Sequence, residues 1–174
     1  MYNRFAGGQG RALLLLERSL REPGNSSSAE VVWVAEIEGK VVAAMAAFPV
    51  DEAVSRSARF LRLALRVAAP WHWPRALALY WAGGRAAPTP PSPALYVDAL
   101  ATDAAFRRLG AASALLAEAE RQARTRGLPA VALDTSESNR EARALYAREG
   151  FDEVAYRPAG RGLPGFVALV KPLS

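Results

Sequence analysis

LATDAAFRRLGAASALL, residues 100–116, sets two arginines and a glycine directly ahead of an apolar, alanine-rich run. The run predicts a helix over about 110–126, because Ala112, Leu115, Leu116, Ala119 and Ala123 recur at helical spacing. Gly127 suits its C-terminal stop. Cations are disfavoured at a helix N-terminus, which already carries partial positive charge. The arginines therefore either point into water or meet something negative. The preceding ALYVDALA, residues 94–101, reads as a strand. A strand, a glycine-bearing loop and a helix start together form a natural anion site, since the first helical N–H groups have no intrahelical partner. Gly110 and Ala112 lack bulk and let a phosphate approach the backbone, while Arg107 and Arg108 add charge suited to a diphosphate. Taken alone, R-x-x-G-x-A is a weak pattern, and a plain strand–helix turn fits it too. A Walker loop is excluded because no G-K-[ST] is present. A dinucleotide fingerprint is excluded because the loop holds only Gly110, although Asp134 lies near the place of its acidic residue.

Further on, AVALD (130–134) reads as a short buried strand. Ser138 and Glu141 fit a capping box that opens a helix running to Arg148, and Gly150 stops it. Residues 151–156 and 166–171 read as two more strands. Upstream, residues 11–22 predict a helix closed by Pro23-Gly24 and a serine-rich loop. VVWVAEIEGKVVAAMAAF (31–48) predicts a hairpin turning at Glu38-Gly39. Residues 55–69 suit a helix with an apolar stripe of Phe60, Leu61, Ala64 and Leu65, and an arginine face of Arg56, Arg59, Arg62 and Arg66. A further helix follows Pro74 and is expected to end at Gly83-Gly84. RAAPTPPSP (85–93) is a linker loop. The order of elements implies an α/β (α+β) architecture in one domain, a central mixed sheet flanked by helices.

Composition narrows the chemistry. The chain has 174 residues, 51% of them hydrophobic, and a net charge of +5. It has no cysteine, which removes disulfides and thiolate catalysis, and His72 is its single histidine. No metal site is expected. The apolar stretches are too short for a membrane span, and MYNRFAGGQG lacks the core of a signal peptide, so the cytoplasm is the expected compartment. Of the 22 basic residues only Lys40 and Lys171 are lysines. That bias suits an arginine-rich composition, or an acidic partner such as nucleic acid or a polyphosphate ligand.

LATDAAFRRLGAASALL followed by VALDTSESNREARALYAREGF (131–151) resembles the GNAT acetyltransferase superfamily. Arg107, Gly110 and Ala112 match its first motif. Asn139, Ala142, Leu145, Tyr146, Gly150 and Phe151 match its second, at the usual separation. Thr102 and Ala104 depart from the customary valine and proline without removing an amide. The family begins with a strand that about ten residues here leave little room for; it is either absent or lies upstream of the given start. Residues 51–92 match no family motif and are expected to be an insertion near the acceptor site.

The resemblance implies acetyl-coenzyme A as cosubstrate and an amine as acceptor, a small molecule or a protein N-terminus. The diphosphate would sit on Arg107, Arg108, Leu109, Gly110, Ala111, Ala112 and Ser113. The pantetheine arm would pair like a strand with Leu100, Ala101 and Thr102, beside Asn139. Tyr146 would be the general acid. Asp98 is the best candidate for the base, in phase with Tyr96 and Leu100 unless a bulge intervenes, with Asp51 and Glu52 as alternatives. Trp71, Trp73, Tyr80 and Trp81 would either form a lid over the acceptor or pack between helices. No membrane partner is expected, and nucleic acid is the weaker reading of the arginine face. The oligomer would be a monomer or homodimer. A catalytically silent acyl-CoA-binding module is the alternative function.

Overall fold

The structure is a computed structural model, and it describes residues 9–86, 88–158 and 164–173. The question of an N-terminal strand or leader falls on residues 1–8 and lies outside them. The chain forms two compact units, one of Met1–Val31 and Glu52–Arg85, the other of Val32–Asp51 and Ala86–Ser174. No helix among the described residues is long and apolar enough to cross a membrane.

The first unit is helical. Helix α1 (Gln9–Arg21) and helix α2 (Ala53–Val67) bury Ala12, Leu15, Leu63 and Ala64 against each other, with Phe60 and Val67 beside them. The true stripe of α2 is thus 60, 63, 64, 67; Leu61 and Leu65, expected to lead it, are only half-buried. The serine-rich loop after α1 is built rather than loose. Asn25 donates to the carbonyls of Ser19 and Glu22 at 2.8 and 2.6 Å and accepts from the Ser27 amide at 2.8 Å. Two arginines of the α2 face are paired as well. Arg56 bonds Glu52 at 2.6 Å and reaches Glu30 at 3.4 Å, and Arg66 lies 4.0 Å from Glu22. Helix α3 (Trp73–Ala86) runs straight through Gly83-Gly84, where an end was expected. Glycine costs a helix about 1 kcal/mol but does not block it. The helix ends at Ala86, two residues before Pro88, and a proline disfavours helical backbone in the residue ahead of it. Trp73 braces the turn between α2 and α3 by donating to the Leu65 carbonyl at 3.0 Å, while Trp71 and Trp81 are exposed.

The second unit is a six-stranded mixed sheet. A hairpin joins β1 (Val32–Ile37) to β2 (Lys40–Pro49) through Glu38 and Gly39, both left-handed as a two-residue turn requires. Then come β3 (Leu95–Thr102), helix α4 (Ala111–Thr125), β4 (Ala130–Ser136), helix α5 (Arg140–Arg148), β5 (Asp152–Arg157) and β6 (Phe166–Pro172). Strand order is β1-β2-β3-β4-β6-β5, and only β3 and β4 run parallel. Helix α4 lies over β1 to β4 and buries Ala111, Leu115, Leu116, Ala119 and Ala123. Its apolar face therefore starts one residue earlier than expected, and Ala112 is only half-buried. Against α4 pack Met45, Leu95, Val97, Val131, Leu133, Leu169, Tyr146 and Phe151 in the main core. A smaller apolar cluster of Ala94, Ala132 and Val170, flanked by Tyr96, covers alternate positions of the central strands.

Candidate active site at the parting of two strands

Strands β3 and β4 pair over three rungs only: Leu95 with Val131, Tyr96 with Ala132 and Val97 with Leu133. Beyond Val97 and Leu133 each strand continues, to Thr102 and Ser136, without pairing to the other. A bulge starts the divergence. Ala47 of β2 faces Val97 and Ala46 faces Ala99, so Asp98 is the extra residue on β3. A bulge bends its strand and raises the local twist. It also shifts the side-chain phase. Leu100, expected beside Tyr96, packs instead on the core face with Val97. The backbone of Leu100, Ala101 and Thr102 is bonded to β2 on one side and open toward β4 on the other.

The open edge leads into the start of α4. Asp103 caps a short 3-10 turn (Ala104–Phe106) by accepting from the Ala105 amide at 3.0 Å. Arg108 and Gly110 both take left-handed backbone, with φ of 65° and 85°. These two reversals fold Arg107, Arg108, Leu109 and Gly110 tightly against the helix start. The amides of Ala111, Ala112 and Ser113 are the first of the helix and find no acceptor among the described residues. A Cβ built on Gly110 would meet nothing within 4 Å, so the space over the loop is open. Arg107 and Arg108 are exposed and form no ion pair among the described residues. The Ser113 hydroxyl is engaged, donating to Glu149 at 2.6 Å, and so ties the start of α4 to the end of α5.

Asn139, and not Ser138, is the N-cap of α5. Its side-chain oxygen accepts from the Ala142 amide at 3.3 Å and its amide donates to the Thr135 hydroxyl at 3.3 Å. Ser138 instead shares a hydrogen bond with Ser136, so the expected Ser138–Glu141 capping box does not form; with Asn139 as the cap, Ala142 stands at its third position. The loop ahead of the cap is pinned from two sides. The Glu137 amide donates to the Gly165 carbonyl at 2.9 Å, and Arg143 grips Glu153 through two nitrogens. A Cβ on Gly165 would lie 2.6 Å from the Glu137 carboxyl, so a larger residue there would have to displace that side chain. The α5 face turned to the core carries Tyr146, which is buried, its ring 5.9 Å from that of Phe151. No hydrogen bond joins its hydroxyl to another described residue. Burial, with the charge of Asp134 added, raises its pKa.

Two further groups complete the site, and the sequence pattern passed them over. The Tyr96 hydroxyl donates a short hydrogen bond to Asp134 Oδ2. Pairing of Tyr96 with Ala132 places Asp134, two residues on, along the same sheet face. Tyr96 therefore reaches diagonally to the first β4 position not paired with β3. Burial raises the pKa of Tyr96, and the charges of Asp134 and Asp98 raise it further. Burial also raises that of Asp134, against the lowering effect of the Tyr96 hydrogen bond. Asp98 keeps surface in contact with solvent but is crowded by protein. That crowding, with the Asp134 charge behind it, pushes its pKa up to about 6. Val97 and Leu133 share the core with Tyr146, whereas Tyr96 and Ala132 belong to the opposite cluster. Asp134, in phase with Ala132, and Tyr146 thus lie on opposite faces of the sheet beside the parting of the strands. The sequence alternatives Asp51 and Glu52 lie at the junction of the two units, away from this strand pair in the chain.

A mixed sheet flanked by helices in this order defines a class, and solved structures share the fold. One similar structure, an acetyltransferase, is 17% identical with a TM-score of 0.68, covering 99% of this chain and 85% of its own. An N-acetyltransferase from Staphylococcus aureus Mu50 is 18% identical with a TM-score of 0.68, covering 93% and 81%. Ard1 from Thermoplasma volcanium is 17% identical with a TM-score of 0.54, covering 95% and 80%. No curated protein matches in sequence. The model of the acetyltransferase (GNAT) family matches residues 9–151, and the chain belongs to that family. It is an acyltransferase.

Proposed function

We propose that this acyltransferase moves the acetyl group of acetyl-coenzyme A directly to a primary amine. The observation that carries this reading is the open edge of β3 beyond Val97, leading without interruption to three free amides at the start of α4. A backbone edge suits the amide groups of a pantetheine arm, and free amides beside two unpaired arginines suit a diphosphate. The residues present thus fit the cosubstrate. Leu100, Ala101 and Thr102 would hold the arm, and Arg107 through Ser113 the diphosphate. Asn139 has one amide hydrogen beyond its cap for the arm. When bound, the coenzyme supplies a thioester whose acyl carbon an amine nitrogen can attack.

The chain's own groups handle the protons. The Asp98 carboxylate takes the proton that the nitrogen gives up as the C–N bond forms. The Tyr146 hydroxyl gives its proton to the sulfur as the C–S bond breaks. A raised pKa keeps Tyr146 protonated at neutral pH, as a general acid must be. Asp98, at about 6, is a stronger base than an ordinary carboxylate. It still lies about two units below an α-amine and more than four below a lysine amine. That gap favours α-amines, free or at a peptide N-terminus, over lysine side chains. The test is thiol release from acetyl-CoA with a panel of amines, wild type against Tyr146→Phe. Release with α-amines, reduced about 10²-fold or more in the variant, is expected. Binding of acetyl-CoA without release for any amine would make the chain a silent acyl-CoA-binding module.

A further inference from the structure

We propose that Asp134, held by the Tyr96 hydroxyl at the first β4 position not paired with β3, is a positioning residue that makes Asp98 the proton acceptor of a carboxylate pair. The inference rests on the acetyl transfer proposed above and adds to it an order of ionisation.

The strand register sets the pair. Val97 and Leu133 form the last rung, so the next residues on the two strands are Asp98 and Asp134. Two carboxylates placed together do not ionise independently, since the first anion holds the second proton in place. Burial raises both carboxyls, and it is hydrogen bonding that sets them apart. A donated hydrogen bond favours a charged carboxylate, and Tyr96 gives one to Asp134. Among the described residues nothing donates to Asp98, and no lysine or arginine pairs with either carboxylate. The titratable groups near the pair are Tyr96 from β3, on the face of Asp134, and Tyr146 from α5, on the other face. Both phenols are pushed upward and stay neutral, so neither supplies a competing charge near neutral pH. Asp134 therefore ionises first. Its charge then holds the Asp98 proton to higher pH, in addition to what crowding does. Tyr96 has no part in the transfer; it assigns the two acids their roles.

Two measurements test the assignment. In the free protein, a ¹³C titration of the side-chain carboxyls should show Asp134 titrating below Asp98, and the reverse order overturns the proposal without any reference to turnover. In the active enzyme, Asp134→Asn keeps an acceptor for Tyr96 but removes the charge. The acidic limb of kcat/KM against pH should move down by up to about one unit, because burial, the larger influence, remains. Tyr96→Phe should move it the same way by less, and Asp98→Asn should abolish the limb together with most of the rate. Should Asp134→Asn abolish transfer at every pH while Asp98→Asn remains active, Asp134 is itself the acceptor and the proposal fails, though acetyl transfer stands. An unshifted limb in Asp134→Asn also overturns it. No thiol release by the wild type with any amine would overturn acetyl transfer, and this inference with it; the carboxyl titration would then only report the order of ionisation.

Discussion

Gly110 meets two demands at once. Its φ of 85° is a conformation that side chains resist, and the space above it is empty. Aspartate is among the residues that best tolerate left-handed backbone and is a favoured N-cap, so Gly110→Asp leaves α4 able to form. Its carboxylate would nevertheless stand where an anion is to bind. We expect acetyl-CoA affinity to fall more than about tenfold, or 1.4 kcal/mol, by calorimetry, with an unchanged circular dichroism spectrum. Affinity equal to the wild type would place the coenzyme elsewhere. Gly110, Arg107 and Tyr146 were readable from motif spacing, because each sits at a fixed offset within one local segment. Asp134 was not readable as a partner of Tyr96. The two lie 38 residues apart, and only the strand register brings them together. Asp98 was readable as a candidate base, but its role as the bulge residue depends on β2, some fifty residues earlier.

Most element boundaries followed from local chemistry, and the misses have local causes. Helix α3 outran its two glycines because a glycine penalty is small beside the cost of a proline. The start of α5 slipped from Ser138 to Asn139 because both are capping residues and Ser138 had a nearer partner in Ser136. The cap makes a separable prediction. Asn139→Ala removes the acceptor for the Ala142 amide and should cost about 1 kcal/mol in urea unfolding. If Asn139 also touches the pantetheine arm, Asn139→Ser, which restores a cap, should recover the stability without recovering KM for acetyl-CoA. Recovery of both would leave the residue a cap alone. On α2, two of the four arginines legible as a possible acidic-partner surface, Arg56 and Arg66, have acidic neighbours in Glu52, Glu30 and Glu22.

Across the whole molecule, two compact units form from interleaved stretches of chain, and all six strands fall in one of them. A ligand that binds only the folded state at 100 times its Kd adds about 2.7 kcal/mol. For a chain of this length that is roughly 5–10 °C in melting temperature. Acetyl-CoA should produce such a shift in the wild type and little in Gly110→Asp, read by differential scanning fluorimetry. The sheet order was beyond the sequence, because the β3–β4 neighbour relation spans the whole of α4. Its consequence is mechanical. Among the described residues, three rungs of backbone pairing and the Tyr96–Asp134 hydrogen bond join β1, β2 and β3 to β4, β6 and β5, with α4 laid across the back. The sheet is in effect two plates meeting at a short hinge. A peptide-like ligand laid along the open edge would act as a splint, stiffening the joint at the place where the plates would otherwise flex.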